Sequence, residues 1–205
     1  MSSDRKTLIL FTRYPVPGAT KTRLVPALGP GGAAGLHRRM TERTLGLAQT
    51  FCRRHEIPLR IHFAGGDEVA MREWLGPWTF VPQVGDTVGA RMAHSFQGAF
   101  SAGARRAVII GTDCPGLTSE ILAQAFSALA DCDLVLGPAW DGGYYLIGLT
   151  EPRPSLFLDI AWGTASVLQQ TLARAHALTI RQLPTLHDID RPEDLVHLDY
   201  HPDPQ

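Results

Sequence analysis

The 205-residue chain has too few cysteines to brace a fold. Its three, Cys52, Cys114 and Cys132, are odd in number and form no C-x-x-C pair. That argues against a disulfide framework or a structural zinc site and sets the expectation of a reducing, cytoplasmic setting. An excess of one charge is missing too. Nineteen Lys and Arg stand against twenty Asp and Glu, for a formal charge of −1. No overall field draws such a chain to nucleic acid or to an anionic membrane, so phosphate chemistry must come from local clusters. No apolar run approaches the roughly 18 to 20 residues that span a bilayer, and Met1–Lys6 lacks the apolar segment of a signal peptide. The eight histidines form no H-E-x-x-H pair. His62 and His176 therefore read as packing or surface residues rather than metal ligands.

What is present describes a globular protein. Hydrophobic residues make up 44% and charged residues 19%, enough for one core in one domain over residues 1–205, centred on about 7–198. Apolar runs alternate with helical patterns. Strands are expected at Thr7–Thr12, Leu59–Ala64, Thr79–Val81, Ala107–Ile110, Leu134–Leu136, Tyr144–Leu149 and Leu178–Gln182. Helices are expected at Gly31–Arg54, from Asp67 to Leu75, Val88–Ala102, from Thr118 or Ser119 to Ala130, Thr164–His176 and Pro192–Leu198. This alternation predicts an α/β fold: an open, mostly parallel sheet with helices on both faces. Ligands of such sheets sit outside the carboxyl ends of the strands. The tail from His201 to Gln205 is expected to fray.

Five loops carry candidate chemistry. After the first strand, Arg13, Lys21 and Arg23 fall within eleven residues, on a loop stiffened by Pro15 and Pro17 and loosened by Gly18. Forked and compact cations at this spacing suit a di- or triphosphate, although neither a G-x-x-x-x-G-K-[ST] nor a G-x-G-x-x-G pattern is present. After the strongest buried strand comes Gly111-Thr112-Asp113-Cys114-Pro115, where Asp113 is a natural ligand for a hard divalent cation. Cys114 lacks a recognisable base and reads as a small buried residue. Near the end, Asp188 and Asp190 are two residues apart and face one way in extended chain, while Asp190 with Glu193 and Pro192 also forms a helix-capping pattern. In Trp140-Asp141-Gly142-Gly143-Tyr144, the glycines permit close approach of a ligand, Asp141 can orient or deprotonate an acceptor, and the aromatic rings offer stacking faces. Gly85, Gly89 and Arg91 precede or open a helix, where they could receive a base or ribose. Trp162-Gly163-Thr164 is a weaker signal of the same kind, readable as a helix cap with a packed Trp.

These motifs occur in an order that resembles a bacterial family of nucleotide-diphospho-sugar transferase-like proteins, domain of unknown function 2064. They are similar, more distantly, to phospholactate guanylyltransferases and molybdenum-cofactor nucleotidyltransferases. The resemblance runs from about Thr7 to Leu198 and implies a glycosyltransferase type A fold. It also implies phosphate contacts from Arg13, Lys21 and Arg23; the loop residues themselves add expected nucleotide contacts from Gly85 and Arg91 and acceptor contacts from Gly142, Gly143 and Tyr144. Catalytic roles fall to Lys21, Asp113 and Asp141. A Mg²⁺ or Mn²⁺ ion is expected on Asp113 and Asp190, with Asp188 a rival for the second position. The partners implied are a nucleotide or nucleotide-sugar donor and a small-molecule acceptor. Glycosyl transfer is the first expectation, nucleotidyl transfer with pyrophosphate release the second, and a non-catalytic nucleotide-binding module the third. The sequence departs from the D-x-D of many sugar transferases, because one carboxylate stands in Thr112-Asp113-Cys114.

Overall fold

A computed structural model describes residues 5–198 of the chain. The tail expected to fray lies outside the described residues. The strands are β1 (Lys6–Arg13), β2 (Leu59–Ala64), β3 (Phe80–Pro82), β4 (Arg106–Ile110), β5 (Leu134–Pro138), β6 (Tyr144–Leu149) and β7 (Ile180–Gln182). The helices are α1 (Val25–His55), α2 (Glu68–Leu75), α3 (Val88–Ser101), α4 (Ser119–Ala128) and α5 (Val167–Arg174). Short 3₁₀ segments cover Thr22–Leu24, Pro154–Phe157 and Pro192–His197. The last of these replaces the expected terminal helix.

One sheet holds all seven strands, in the order β3-β2-β1-β4-β6-β5-β7. Only β6 runs against its neighbours; it is antiparallel to both β4 and β5, and the other pairings are parallel. The cause is local. Five residues separate β5 from β6, too few for the crossover a parallel pair needs, so the two close as a hairpin. The hairpin delivers the start of β6 to the rim where β1, β4 and β5 end.

Strand alternation divides the core between the two faces. Leu8, Leu10, Ile61, Phe63, Val108 and Ile110 pack with α1, α2 and α4 residues such as Phe51, Met71 and Leu122. Ile9, Ile109, Leu136 and Ile147 face the other way, toward Met92 and Phe96 of α3. Both sides of the central strands are therefore dry, which is why those strands read as unbroken apolar runs. His62 is buried with Ser95, Nδ1 to Oγ at 2.7 Å, and burial pushes its pKa down to about 4, while His176 is exposed. Both are packing or surface residues, as expected.

Helix ends follow side-chain chemistry. Asp67, Thr87 and Thr118 accept from the backbone N–H of Ala70, Ala90 and Ile121 and so start α2, α3 and α4. α1 begins earlier than expected, at Val25, because a break at Gly29 (φ 68°, ψ 166°) lets an extra turn precede the long segment. Below the rim a third cluster joins Leu24, Ala33, Leu36 and Met40 to Ile189, so the end of the chain is anchored beside its beginning.

Leu10 is fully buried in the central strand. Leu10→Ala should destabilise the protein by about 2–5 kcal/mol through lost transfer energy and the cavity left behind, read from the midpoint of urea unfolding.

Candidate functional site

The loop after β1 is tied before it meets any ligand. Thr20, buried, donates through Oγ1 to the Tyr14 carbonyl and accepts from Val16 N–H at 3.0 Å. The Arg13 guanidinium donates to the Ala19 carbonyl at 3.3 Å. Lys21 then adopts a left-handed backbone (φ 51°, ψ 46°), uncommon for a long side chain and of the kind that surrounding structure must hold in place. That turn aims the Lys21 amine inward, leaving its side chain 5% exposed.

Three groups receive the Lys21 ammonium. Asp113 Oδ1 lies 2.8 Å away, the Ile189 carbonyl accepts a hydrogen bond at 2.5 Å, and Asp190 Oδ1 lies at 3.9 Å. The Asp113 contact is a close ion pair in which the amine approaches off the line of a directed bond, so buried Oδ1 receives no aligned donor. Arg23 completes the ring by donating to Asp190 Oδ2 at 2.5 Å. The Ile189 N–H donates to the Asp113 carbonyl at 2.9 Å, locking the late segment to the turn after β4. Ile189 is fully buried, and its two neighbours Asp188 and Asp190 both line the cleft, the side-by-side placement their spacing predicts.

The cleft at this rim has a volume of about 670 Å³, within the range of small-molecule sites. It collects Arg13, Lys21, Arg23, Asp113, Asp141, Gly143, Tyr144, Asp188 and Asp190 from the sequence-derived set. Gly85, Arg91 and Gly142 lie outside the lining. The Arg91 guanidinium is occupied by the Gly85 carbonyl at 2.8 Å, and the start of α3 presents Val88 and Met92 to the cleft instead. Gly142 supports the site from behind: at φ 87° its α-carbon packs so tightly that a Cβ would lie 2.1 Å from the Ala165 carbonyl oxygen. Trp140 turns away and stacks on His187 at 5.2 Å.

Asp190 does not cap the final turn. Arg191 occupies the cap position, and Asp194 accepts from the N–H groups of both Asp190 and Arg191, leaving the Asp190 carboxylate to the two cations. Asp188 has a different environment. Burial and then the negative charge of Asp141 raise its pKa to about 6. Cys114 is buried with its thiol pushed well up by desolvation, which suits a packing residue and not a nucleophile.

His37 was missed by the sequence reading. It lies on α1, Nε2 facing the Arg13 carbonyl at 3.0 Å and Thr12 Oγ1 at 3.4 Å, and burial holds its pKa down. A signal existed: His37, Thr41 and Thr44 form a polar stripe inside the buried face of α1.

The donor set is hard oxygen only. Among the described residues no three acidic, His or Cys side chains converge tightly enough to hold a metal alone. A pair of carboxylates with the unaligned Asp113 Oδ1 fits Mg²⁺ or Mn²⁺, which take one or two carboxylates and complete their shell with phosphate oxygens and water.

Residues 47–164 match the model of a family described as an uncharacterized protein conserved in bacteria (DUF2064). A crystal structure from Desulfovibrio desulfuricans G20, described as a nucleotide-diphospho-sugar transferase, is 37% identical with a TM-score of 0.84 and covers 93% of this chain and 84% of that one. The phosphoenolpyruvate guanylyltransferase of Chloroflexus aggregans (strain MD-66 / DSM 9485) is 28% identical over 181 residues, 85% of this chain and 88% of that protein. At 11% identity and TM-score 0.59, the 4-diphosphocytidyl-2C-methyl-D-erythritol synthase of Anaerococcus prevotii DSM 20548 shares the fold, covering 95% of each chain. The α/β sheet expected from the sequence is thus the nucleotide-diphospho-sugar transferase fold.

The raised pKa of Asp188 has a sign that can be checked. The folded protein holds the proton more tightly than the unfolded chain, so stability falls as pH rises from about 4 through about 6. Asp188→Asn should therefore raise the melting temperature at pH 8 and change it little at pH 4, measured by thermal unfolding in metal-free buffer.

Proposed function

We propose that this chain, which belongs to the DUF2064 family of bacterial proteins, is a metal-dependent transferase using a nucleotide donor, in the first instance a nucleotide sugar. One observation carries the reading: three cations from the first loop and carboxylates from three later loops share one cleft, with Lys21 Nζ 2.8 Å from Asp113. Such a juxtaposition suits a polyphosphate that arrives with a divalent cation.

In this reading Arg13, Lys21 and Arg23 receive the donor's phosphates and neutralise the charge that grows on the leaving group. Val88 and Met92 form the wall for the nucleoside, with Gly85 and Arg91 fixing the loop behind it. Asp113 and either Asp190 or Asp188 hold Mg²⁺ or Mn²⁺, which supplies Lewis-acid stabilisation of the departing phosphate. Asp188 is favoured as the second ligand, because Asp190 is already neutralised by Arg23 and Lys21 while Asp188 faces another carboxylate. Asp141 accepts Gly143 N–H at 2.7 Å through Oδ1, which fixes its carboxylate at the wall beside the acceptor. Gly143 and Tyr144 complete that wall. The acceptor hydroxyl gives its proton to Asp141 and its oxygen bonds to the donor sugar carbon. The bond from that carbon to phosphate breaks, and the nucleoside diphosphate leaves with the electron pair.

A second reading is nucleotidyl transfer, in which the acceptor attacks the α-phosphorus of an NTP and pyrophosphate leaves. It is favoured by the single-carboxylate turn, where Gly111 and Pro115 stand two residues to either side of Asp113, in the places a second acid of a D-x-D would take, and by the guanylyltransferase relative.

Turnover with Mn²⁺ and a panel of NTPs and nucleotide sugars separates these readings. Release of a nucleoside diphosphate is expected, and pyrophosphate release selects the second. Asp113→Asn should lower turnover by about 10²-fold or more in a protein that still folds, with the unfolding midpoint lowered by the charge partner taken from buried Lys21. A wild-type protein that binds nucleotide and yields neither product would be a binding module, and unchanged turnover in Asp113→Asn would remove the metal assignment.

A further inference from the structure

The two sides of the cleft differ in charge and in rigidity. All three lining cations come from one short loop, Arg13–Arg23. The facing wall is made of Asp141, Tyr144, Trp162, Thr164 and Val167. Trp162 is clamped there. A Cβ on Gly89 of α3 would lie 2.4 Å from its Cζ2, so the indole rests directly on the glycine backbone. On another side it meets Tyr144 edge-on, centroids 6.4 Å apart. The Tyr144 hydroxyl is buried in turn, with no hydrogen-bond partner among the described residues, so the ring is held by packing alone. The result is a rigid aromatic surface with a carboxylate at its edge.

An anionic acceptor would need charged or clustered donors on this wall, and the backbone cluster that could serve is already occupied. The start of α5 borders the cleft at Thr164 and Val167, where helix N–H groups could hold a phosphate. Leu168 N–H instead donates to the Gly142 carbonyl at 2.9 Å, Val167 N–H to the Thr164 carbonyl at 3.4 Å, and Ser166 N–H to Thr164 Oγ1 at 3.4 Å. The Asp141 carboxylate at the edge of this wall repels an incoming phosphate or carboxylate.

We propose that the wall formed by Trp162, Tyr144 and Asp141 takes an uncharged, hydroxyl-bearing acceptor and discriminates against phosphorylated or carboxylated ones, with Trp162 as its specificity-determining residue. The proposal rests on the donor assignment above. It sets this chain apart from an enzyme that guanylylates phosphoenolpyruvate, whose acceptor is anionic. An aromatic face covers the apolar side of such a molecule, and the fixed carboxylate accepts its hydroxyl hydrogen.

The test is a tryptophan-fluorescence titration of the full chain with GDP or UDP and Mn²⁺ bound, nucleotide binding itself being monitored by melting temperature. Methyl α-D-glucopyranoside and glycerol serve as uncharged probes; phosphoenolpyruvate and glycerol 3-phosphate serve as anionic ones. An uncharged probe should give a saturable change whose half-saturation point Gly89→Ala, which unseats the indole without removing it, raises about tenfold or more, and Trp162→Phe should abolish binding of the same probe when it is followed by titration calorimetry. The anionic probes should give no saturable change. A Trp162-dependent response to either anion, or silence toward both uncharged probes while nucleotide still raises the melting temperature, overturns the acceptor assignment and leaves the donor reading standing. Absence of any nucleotide-dependent shift takes both down.

Discussion

A single ammonium group closes the site. Lys21 reaches across the cleft to the Ile189 carbonyl, 168 residues away in sequence, while contacting Asp113 between them. The backbone bond from Ile189 to Asp113 runs parallel to it. Removing any one of these three partners would leave another buried without compensation, and that is the physical reason the first loop, the turn after β4 and the end of the chain behave as one unit. The left-handed backbone at Lys21 is tolerated because this clasp holds it, and the clasp exists because that backbone points the amine inward.

The sheet was legible wherever burial is two-sided. Leu8-Ile9-Leu10 and Ala107-Val108-Ile109-Ile110 are apolar at every position because both faces are covered, and their placement followed directly. The direction of β6 is not written in its composition, since Tyr144–Leu149 is as apolar as a parallel strand. It is written in the brevity of the connection from β5. Helix starts with an acceptor side chain, at Asp67, Thr87 and Thr118, were readable to within a residue or two. The start of α1 was not, because a glycine break inside a helical stretch looks the same as a boundary.

At the site, charge was easier to read than packing. Arg13, Lys21, Arg23, Asp113, Asp141, Asp188 and Asp190 all reach the cleft because each sits at or just beyond a strand end on the ligand-binding rim. Residues whose role is to support others were misplaced or overlooked. Arg91 looks like a ligand-binding cation yet holds the Gly85 carbonyl. His37 lies inside a helix, far from any motif, and enters the wall only because α1 packs under the first loop. Gly89 is recognisable as one of a pair of glycines, but only three-dimensional contact shows that the space it leaves belongs to Trp162.

The antiparallel strand has a further consequence. Because β6 starts at the rim where its neighbours finish, Asp141–Tyr144 forms the tip of a hairpin, whereas the cationic segment is a separate excursion from β1. The cationic half of the cleft and the half that carries Asp141 and Tyr144 therefore have no covalent overlap and meet over a shared floor. On the proposed function, substitutions at the hairpin tip would retarget what is modified without disturbing how the activated group is held, so a lineage built on this scaffold would diversify its products while keeping its energy source.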